Sequence, residues 1–265
     1  MKRVVLTGAT SGIGREVAVQ LAAQGHHLIL SGRDGRRGEE LARTLDNARF
    51  VQADLSTRDG IGKLAASVDA VDVLVNNAGI MAPQRQVTSE GVELNFAVHH
   101  LAPYSLTAAL AVENLRVVNV NSEGHRAPMM GSGPVELDFD DLQSERSYDP
   151  FLAYSRSKLA NLLFTYELQR RRPDMTVVAL HPGLVKTNLG RQFPRLRVAL
   201  VTAMGLSARR GAEPVTALAV DADVRAGQYY NRHEPVRSSA ASYDTATARR
   251  LWEVTERLRG PFADL

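Results

Sequence analysis

A tyrosine and a lysine four residues apart, Tyr154 and Lys158, form the pair in this chain best suited to chemistry. The surrounding pattern predicts a helix, and residues i and i+4 lie one above the other on a helix face. An ammonium group a few ångströms away stabilises a phenolate and so lowers the pKa of a tyrosine from about 10. Such a pair can exchange a proton with an alcohol or a ketone. The same spacing also occurs on solvated helices without any chemical role, so the other motifs must decide.

A glycine-rich segment from Thr7 to Gly14 follows the first predicted strand and opens a helix. Gly8 permits a tight turn, Gly12 lets the backbone approach a pyrophosphate, and Gly14 allows close packing of the helix. Phosphates would then face the helix N-terminus, whose free N–H groups and dipole favour anions. The alternative is a glycine turn that binds nothing, but three glycines at this spacing between a strand and a helix favour a dinucleotide site.

The end of the second predicted strand bears on the choice of dinucleotide. A carboxylate there would bind the adenosine ribose of NAD, whereas this chain has Ser31, Gly32 and Arg33. An arginine offers a planar fork of donors that suits a phosphate, so we expect NADP(H). The alternative is that Arg33 is a solvated charge neutralised by the adjacent Asp34.

Short β-branched runs alternate with longer helical patterns, which predicts an α/β fold: a Rossmann-type doubly wound parallel sheet of about seven strands with helices on both faces. We expect one domain over residues 1–265, with an insertion at 123–150. The predicted strands are Arg3–Thr7, His27–Ser31, Arg49–Ala53, Val73–Asn76, Leu115–Val120, Thr176–Leu180 and Gly227–Tyr230. The predicted helices lie near 12–24, 36–46, 88–112, 152–172, 211–221 and 242–259.

Composition narrows the function further. The 32 basic and 29 acidic residues leave a net charge of only +3, which does not indicate a nucleic-acid partner. The chain has no cysteine, which excludes disulfides, thiolate metal sites and a cysteine nucleophile. The histidines show no metal-ligand spacing, so we expect no metal. The N-terminus shows no signal peptide, and we expect a cytoplasmic protein.

These motifs resemble the short-chain dehydrogenase/reductase family, specifically its retinol-dehydrogenase-like, NADP-preferring branch. The resemblance covers essentially the whole chain and implies reversible hydride transfer between a nicotinamide and a carbonyl or alcohol carbon. It rests on the glycine motif, Ala53-Asp54-Leu55-Ser56, Asn76-Asn77-Ala78-Gly79, Ser122, Tyr154 with Lys158, and His181-Pro182-Gly183-Leu184-Val185-Lys186-Thr187.

The resemblance also implies roles for individual residues. Ser122 hydrogen-bonds the substrate oxygen, Tyr154 donates or removes the proton, and Lys158 binds the nicotinamide ribose and lowers the pKa of Tyr154. The residues it implies for cofactor binding are Gly8, Ser11, Gly12, Ile13, Gly14, Arg33, Asp54, Leu55, Asn76, Ala78, Gly79, Tyr154, Lys158, Pro182, Gly183, Val185 and Thr187.

Two positions depart from the family pattern. His99 stands where the family has an asparagine that shapes a helix and completes a proton relay, and Asn95 lies four residues too early to replace it. We expect His99 to imitate part of that role, since its Nδ1 lies close to where an asparagine amide atom would be. Asn121 stands where the branch commonly has serine, and we expect it to affect the substrate pocket only.

Substrate identity is less defined. The segment 188–210 is expected to cover the pocket, and its apolar centre suggests a hydrophobic small molecule. An alternative for this arginine-flanked segment is a helix lying on a membrane surface, which we consider the weaker interpretation. The insertion is expected to cover a helix surface through which relatives associate, so we expect a monomer or a homodimer. Two alternative functions are a non-redox reaction that retains the dinucleotide, such as a cyclisation or dehydration, and a catalytically silent NADP-binding regulator.

Overall fold

The first strand, β1 (Arg3–Thr7), carries buried side chains on both of its faces. Val4 and Leu6 pack in one hydrophobic cluster and Val5 packs in another. Successive residues of a strand point to opposite faces, so both faces of the sheet must be covered. The computed structural model, which describes residues 1–128, 133–186 and 205–262, has helices on both sides.

Eight strands in the described part of the chain form one sheet with the order β3-β2-β1-β4-β5-β6-β7-β8. The first seven are parallel, and β8 pairs with β7 in the antiparallel sense. The predicted α/β fold is confirmed, with one strand more than expected. After β1 the strands are β2 (His27–Gly32), β3 (Ala48–Gln52), β4 (Val73–Asn76), β5 (Arg116–Val120), β6 (Thr176–His181), β7 (Tyr229–Asn231) and β8 (Glu234–Val236).

The helices divide between the two faces. On one face α1 and α7 pack through Val17, Leu21 and Val215. On the other, α3, α5 and α6 contribute Ile61, Leu106 and Phe164. In order, the helices are α1 (Gly12–Ala23), α2 (Gly35–Arg43), α3 (Arg58–Ala66), α4 (Leu94–Phe96), α5 (Ala102–Ala109), α6 (Pro150–Arg171), α7 (Ala208–Val220) and α8 (Thr245–Arg259), with a π-helical turn at Ala97–Leu101 between α4 and α5.

Three elements differ from the sequence prediction. The helix expected near 88–112 begins only at Leu94, because the Glu93 side chain accepts hydrogen bonds from the N–H groups of Asn95 and Phe96 and so caps it. Helix α3 and strand β8 were not predicted. The other predicted boundaries differ from the observed ones by up to three residues.

The order of the strands reverses between β1 and β4, which opens a crevice at their carboxyl ends. Ligands of doubly wound sheets bind at this reversal. The glycine segment follows β1, and Asn76 ends β4 beside it. Strand β5 ends just before Ser122, so the sheet directs the predicted site residues to one edge.

The insertion at 123–150 begins with a short 3-10 helix, Glu123–His125. Its later part packs Val135 against Leu159 and Leu163 of α6 and Leu251 of α8. Val135 is only 1% exposed. The insertion therefore covers part of the α6 surface.

Candidate active site and dinucleotide site

The turn after β1 has the backbone that its glycines predict. Gly8 and Gly12 have φ angles of 67° and 55°, in the left-handed region that glycine favours. A Cβ on Gly14 would lie only 2.3 Å from the Gly8 carbonyl oxygen. Ser11 precedes α1, and its hydroxyl makes no capping hydrogen bond. Ile13 lies in the first turn of α1, and its half-buried side chain packs against the core.

Asn77 holds this turn against the end of β4, a role that the sequence did not reveal. Its Nδ2 donates to the carbonyls of Thr7 at 2.9 Å and Gly8 at 3.2 Å. In return, the Thr7 hydroxyl oxygen accepts from the N–H groups of Asn77 and Ala78, each at 3.0 Å. A Cβ on Gly8 would lie 2.8 Å from the Ala78 Cα. The two loops that would enclose the dinucleotide are therefore in direct contact.

Asn76 has a different environment from its neighbours. Its Nδ2 donates to Asn119 Oδ1 at 2.9 Å, and Asn119 in turn donates to Thr165 of α6. Asn76 is 6% exposed. The Asn76 side chain joins β4, β5 and α6. Gly79, three residues later in the loop after β4, is exposed to solvent.

Arg33 is exposed at the end of β2, and its guanidinium forms no ion pair with any residue that the structure describes. Asp34 does not neutralise it, because Asp34 caps α2 through the Arg37 N–H and pairs with the Arg37 side chain at 3.3 Å. Arg36 pairs with Glu40. Arg33 is thus the arginine of this turn that is left free to bind an anion.

Asp54 and Leu55 follow β3 at the same edge of the sheet. One carboxylate oxygen of Asp54 accepts from the Ser56 N–H at 3.0 Å, which orders the turn while the side chain stays exposed. Leu55 is buried in the core at 8% exposure. The arrangement leaves the second carboxylate oxygen of Asp54 available to an adenine amino group.

Ser122, Tyr154 and Lys158 come together between β5 and α6. Helix α6 is capped by Asp149 and begins at Pro150. Tyr154 and Lys158 lie one helical turn apart on the same face of it. The Ser122 hydroxyl lies beside the Tyr154 ring, since a Cβ on Gly124 would be 3.4 Å from Ser122 Oγ and 3.3 Å from Tyr154 Cε1. Lys158 Nζ lies 5.8 Å from the centre of the Tyr154 ring and donates to the Val120 carbonyl at 3.0 Å.

The protonation of this group differs from the prediction. Burial raises the pKa of Tyr154 to about 12, and the hydrogen bond from Ser122 opposes that rise. Burial also lowers the pKa of Lys158 to about 7. The expected lowering of the tyrosine pKa by the lysine is therefore wrong, because a lysine that is only partly charged at neutral pH offers little stabilisation to a phenolate. Tyr154 carries its proton at neutral pH.

His99 lies in the π-helical turn and contacts α6. Its Nε2 accepts from the Ile80 N–H at 3.1 Å, so the ring proton is on Nδ1, which lies 2.8 Å from Ser157 Oγ. Ser157 donates to the Tyr154 carbonyl. The His99 and Tyr154 rings meet edge to face, with centroids 5.4 Å apart. Burial and the nearby Lys158 hold the pKa of His99 well below its usual value.

Asn95 does not take over the asparagine position. Its side chain donates to Glu93 and to the Tyr148 hydroxyl, which ties α4 to the insertion. Asn121, which we expect to affect the substrate pocket only, turns its side chain toward α6. It is buried at 4% exposure, and its amide donates to the Lys158 carbonyl and to Asn161.

His125 supports Ser122 from the other side, which its sequence position did not indicate. Its Nδ1 donates to the Ser122 carbonyl at 2.6 Å, and its Nε2 accepts from the Ser239 N–H at 3.2 Å. Burial lowers the pKa of His125 to about 4, so the ring stays neutral. The segment after β5 is thereby fixed to the segment after β8.

The segment after β6 provides the last group of predicted cofactor residues. Pro182 is buried, and Gly183 has a φ angle of 93°, which turns the chain sharply. Val185 forms a parallel bridge with Leu206. Thr187 and most of the expected pocket cover, residues 188–204, lie outside the described residues.

Residues 1–128, 133–186 and 205–262 contain no group of three or more histidine, aspartate or glutamate side chains placed to hold a metal ion. They also contain no helix that is both long enough and apolar enough to cross a bilayer.

The chain is similar to known short chain dehydrogenases, and a family model for these proteins matches residues 2–133. Human retinol dehydrogenase 13 is 36% identical over 290 aligned positions, covering 98% of this chain and 85% of that protein. Among solved structures, a protein from Mycobacterium paratuberculosis is 34% identical with a TM-score of 0.81, covering 98% of this chain and 93% of its own.

A further solved structure carries a ligand. A protein from Beutenbergia cavernae, described as an NAD(P)-dependent gluconate 5-dehydrogenase with bound NADP at low occupancy, is 29% identical with a TM-score of 0.66. The alignment covers 87% of this chain and 94% of that one.

Proposed function

Because this chain belongs to the short-chain dehydrogenase/reductase family and is of the retinol-dehydrogenase-like type, whose reactions are dinucleotide-dependent oxidoreductions, we propose that it is an NADP(H)-dependent oxidoreductase. It acts on a carbonyl or alcohol carbon of a hydrophobic small molecule. The observation that carries the proposal is the contact of Ser122 with Tyr154, one helical turn from Lys158, at the carboxyl edge of the sheet.

The residues present fit a dinucleotide. The left-handed backbone at Gly8 and Gly12 and the free N–H groups that begin α1 suit a pyrophosphate. Asp54 and Gly79 suit the adenine and ribose, and Pro182 with Gly183 suits the nicotinamide half. When bound, the nicotinamide supplies the hydride for reduction or accepts it in oxidation.

Support for NADP(H) over NAD(H) comes from Arg33. It lies at the strand end where an acidic residue would bind the ribose hydroxyls, and it has no acidic partner in the described structure. Arg33 can bind the 2′-phosphate without first breaking an ion pair. Matched against Arg36 and Arg37, which both pair with acids, Arg33 is the best suited to this role.

The protein side chains handle the proton. In reduction, Tyr154 donates its phenolic proton to the substrate oxygen as the carbon receives the hydride, and in oxidation the phenolate takes that proton back. Ser122 holds the same oxygen by a hydrogen bond. Lys158 binds the ribose hydroxyls next to Tyr154. His99, neutral and bonded through both ring nitrogens, maintains the helix and the Tyr154 ring, and supplies no additional acid or base.

Two observations support a hydrophobic substrate. Retinol dehydrogenase 13 is named for a hydrophobic alcohol. Leu184, beside the Gly183 turn, is 49% exposed. The covered α6 surface is compatible with a monomer or a homodimer. We propose one domain over residues 1–265, a cytoplasmic location and no nucleic-acid or stable membrane partner.

The test is oxidation of NADPH at 340 nm against hydrophobic aldehydes, ketones and quinones. We expect turnover, and we expect Tyr154→Phe to lower kcat by roughly 10² or more while the Kd for NADPH stays nearly unchanged, because only the acid is lost. Tyr243→Phe is the matched control, since Tyr243 is 41% exposed and stacks on Tyr166, which is not one of the proposed catalytic residues.

Two results would contradict the proposal. Full turnover in Tyr154→Phe would assign the acid role elsewhere. Tight NADPH binding without oxidation of NADPH on any substrate would favour a non-redox enzyme or a silent regulator.

A further inference from the structure

Asn121 has every hydrogen-bonding atom of its side chain engaged by the catalytic elements. Its Oδ1 accepts from the Ser122 N–H at 2.7 Å. Its Nδ2 donates to the Lys158 carbonyl at 3.0 Å and to Asn161 Oδ1 at 2.8 Å. The Asn121 amide thus joins Ser122 to Lys158 and Asn161 of α6.

This amide is the middle of three successive contacts between the strand end and the catalytic helix. Before it, the Val120 carbonyl accepts from Lys158 Nζ at 3.0 Å. After it, the Ser122 hydroxyl lies beside the Tyr154 ring, both within 3.4 Å of the position that a Cβ on Gly124 would take. Asn121 binds the backbone of α6, which fixes the distance across which the other two contacts are made.

Asn161 extends the connection to the π-helical turn. Its Nδ2 donates to the His99 carbonyl at 2.9 Å. The two positions at which this chain departs from the family pattern, His99 and Asn121, are therefore linked through a single side chain. This chain has a histidine instead of an asparagine at position 99 and an asparagine instead of a serine at position 121. Both side chains bond residues of α6 between Ser157 and Asn161.

Serine at position 121 could not make these bonds. A serine hydroxyl has one donor hydrogen, whereas the two acceptors on Lys158 and Asn161 require two. It would leave a buried acceptor unsatisfied, which is unfavourable in an interior where Asn161 is 3% exposed.

We propose that Asn121 is a positioning residue that sets the Ser122 hydroxyl against the Tyr154 phenol by fixing the end of β5 to α6. The inference rests on the proposed oxidoreductase function. It concerns a residue that touches neither substrate nor cofactor and acts through Ser122.

The kinetic test is a double-mutant cycle of Asn121→Ser with Ser122→Ala, measured as single-turnover rates with saturating NADPH. We expect Asn121→Ser to slow the wild-type protein by about tenfold, within the usual range of coupling between contacting residues. In the Ser122→Ala background it should slow the rate by less than about twofold. Equal losses in both backgrounds would overturn the proposal.

Asn119→Ser is the matched control. It removes a buried amide from the same strand whose partners are Asn76 and Thr165. Because these partners do not include Ser122, Tyr154 or Lys158, any loss it causes should be equal with and without Ser122→Ala.

A second measurement does not depend on turnover. The protein is labelled with tyrosine that carries 13C at Cζ, and its NMR spectrum is recorded. The Tyr154 signal is the one that is missing from the spectrum of the Tyr154→Phe variant. Asn121→Ser should shift that signal in the same direction as Ser122→Ala, and the double variant should shift it no further. An unmoved Tyr154 signal in Asn121→Ser would overturn the proposal. If the wild-type protein reduces no carbonyl, the proposed function has failed and this measurement alone decides the role of Asn121.

Discussion

Arg33 determines the cofactor preference that we expect. The site offers a free guanidinium to the 2′-phosphate and no carboxylate to the ribose hydroxyls, so NADPH should bind at least tenfold more tightly than NADH, or about 1.4 kcal/mol. Arg33→Ala should remove most of that difference, which titration of the two cofactors by fluorescence would measure. Arg36→Ala is the control, because Arg36 is already paired with Glu40. Equal affinities in the wild-type protein would refute the assignment.

His99 is the second residue whose role can be tested. Both of its ring nitrogens are bonded and its pKa is held well below the usual value, so the imidazole should not titrate in the reaction. We expect His99→Asn to preserve or raise reductase activity, and the pH profile of the wild-type rate to show no ionisation near pH 6.5 that the variant lacks. A folded His99→Asn protein that binds NADPH and has lost turnover would show that this chain needs the imidazole.

The residue types of the site were predictable, but their partners were not. Ser122, Tyr154 and Lys158 stand out in the sequence by type and spacing. The bonds of Asn121 join residues 37 and 40 positions apart, which only the fold brings together. The direction of the Tyr154 pKa shift was also beyond the sequence, because it depends on burial of both members of the pair.

At the scale of elements, the strands were predicted best where both faces are buried. Strand β4 was predicted at its observed bounds, since Val73 to Asn76 are all buried. Strand β8 was not predicted, because its three residues are exposed, include Pro235 and show no alternation. Helix α3 was missed because two of its nine residues are glycines and only Ile61 and Leu64 are buried.

At the scale of the whole molecule, the neutral buried histidines make folding depend on pH. Burial lowers the pKa of His100 to about 3 and that of His125 to about 4, and it also lowers the pKa of His99. Their stabilisation is fully present above about pH 6.5, the unfolded value, and is lost as the pH falls toward the folded values. Lys158, whose pKa burial lowers to about 7, is partly deprotonated near pH 7 in the folded state only, so it changes stability in the same sense there and little below about pH 6.

We therefore expect the free energy of unfolding to be lower at pH 5 than at pH 7, by up to about 2 kcal/mol for each of these three histidines. Urea unfolding at the two pH values would measure it. Glu93, whose pKa burial raises, acts in the opposite sense as the pH falls, so Glu93→Gln should increase the measured difference. Replacing the exposed His27 and His233 with glutamine should leave the dependence intact, and equal stability at pH 5 and pH 7 would contradict the prediction.

The π-helical turn at Ala97–Leu101 limits how this chain can change in length. Each residue of an α-helix advances the direction of the following side chains by about 100°. A π turn holds one residue more than an α turn, so the loss of one residue here would leave an α turn and keep α5, with Tyr104 buried against Phe164 and Trp252, in place. The same loss would remove or shift His99, which meets Tyr154 edge to face. A one-residue deletion in this turn is therefore expected to spare the core and alter the candidate active site, whereas a one-residue insertion would rotate α5 and disrupt both.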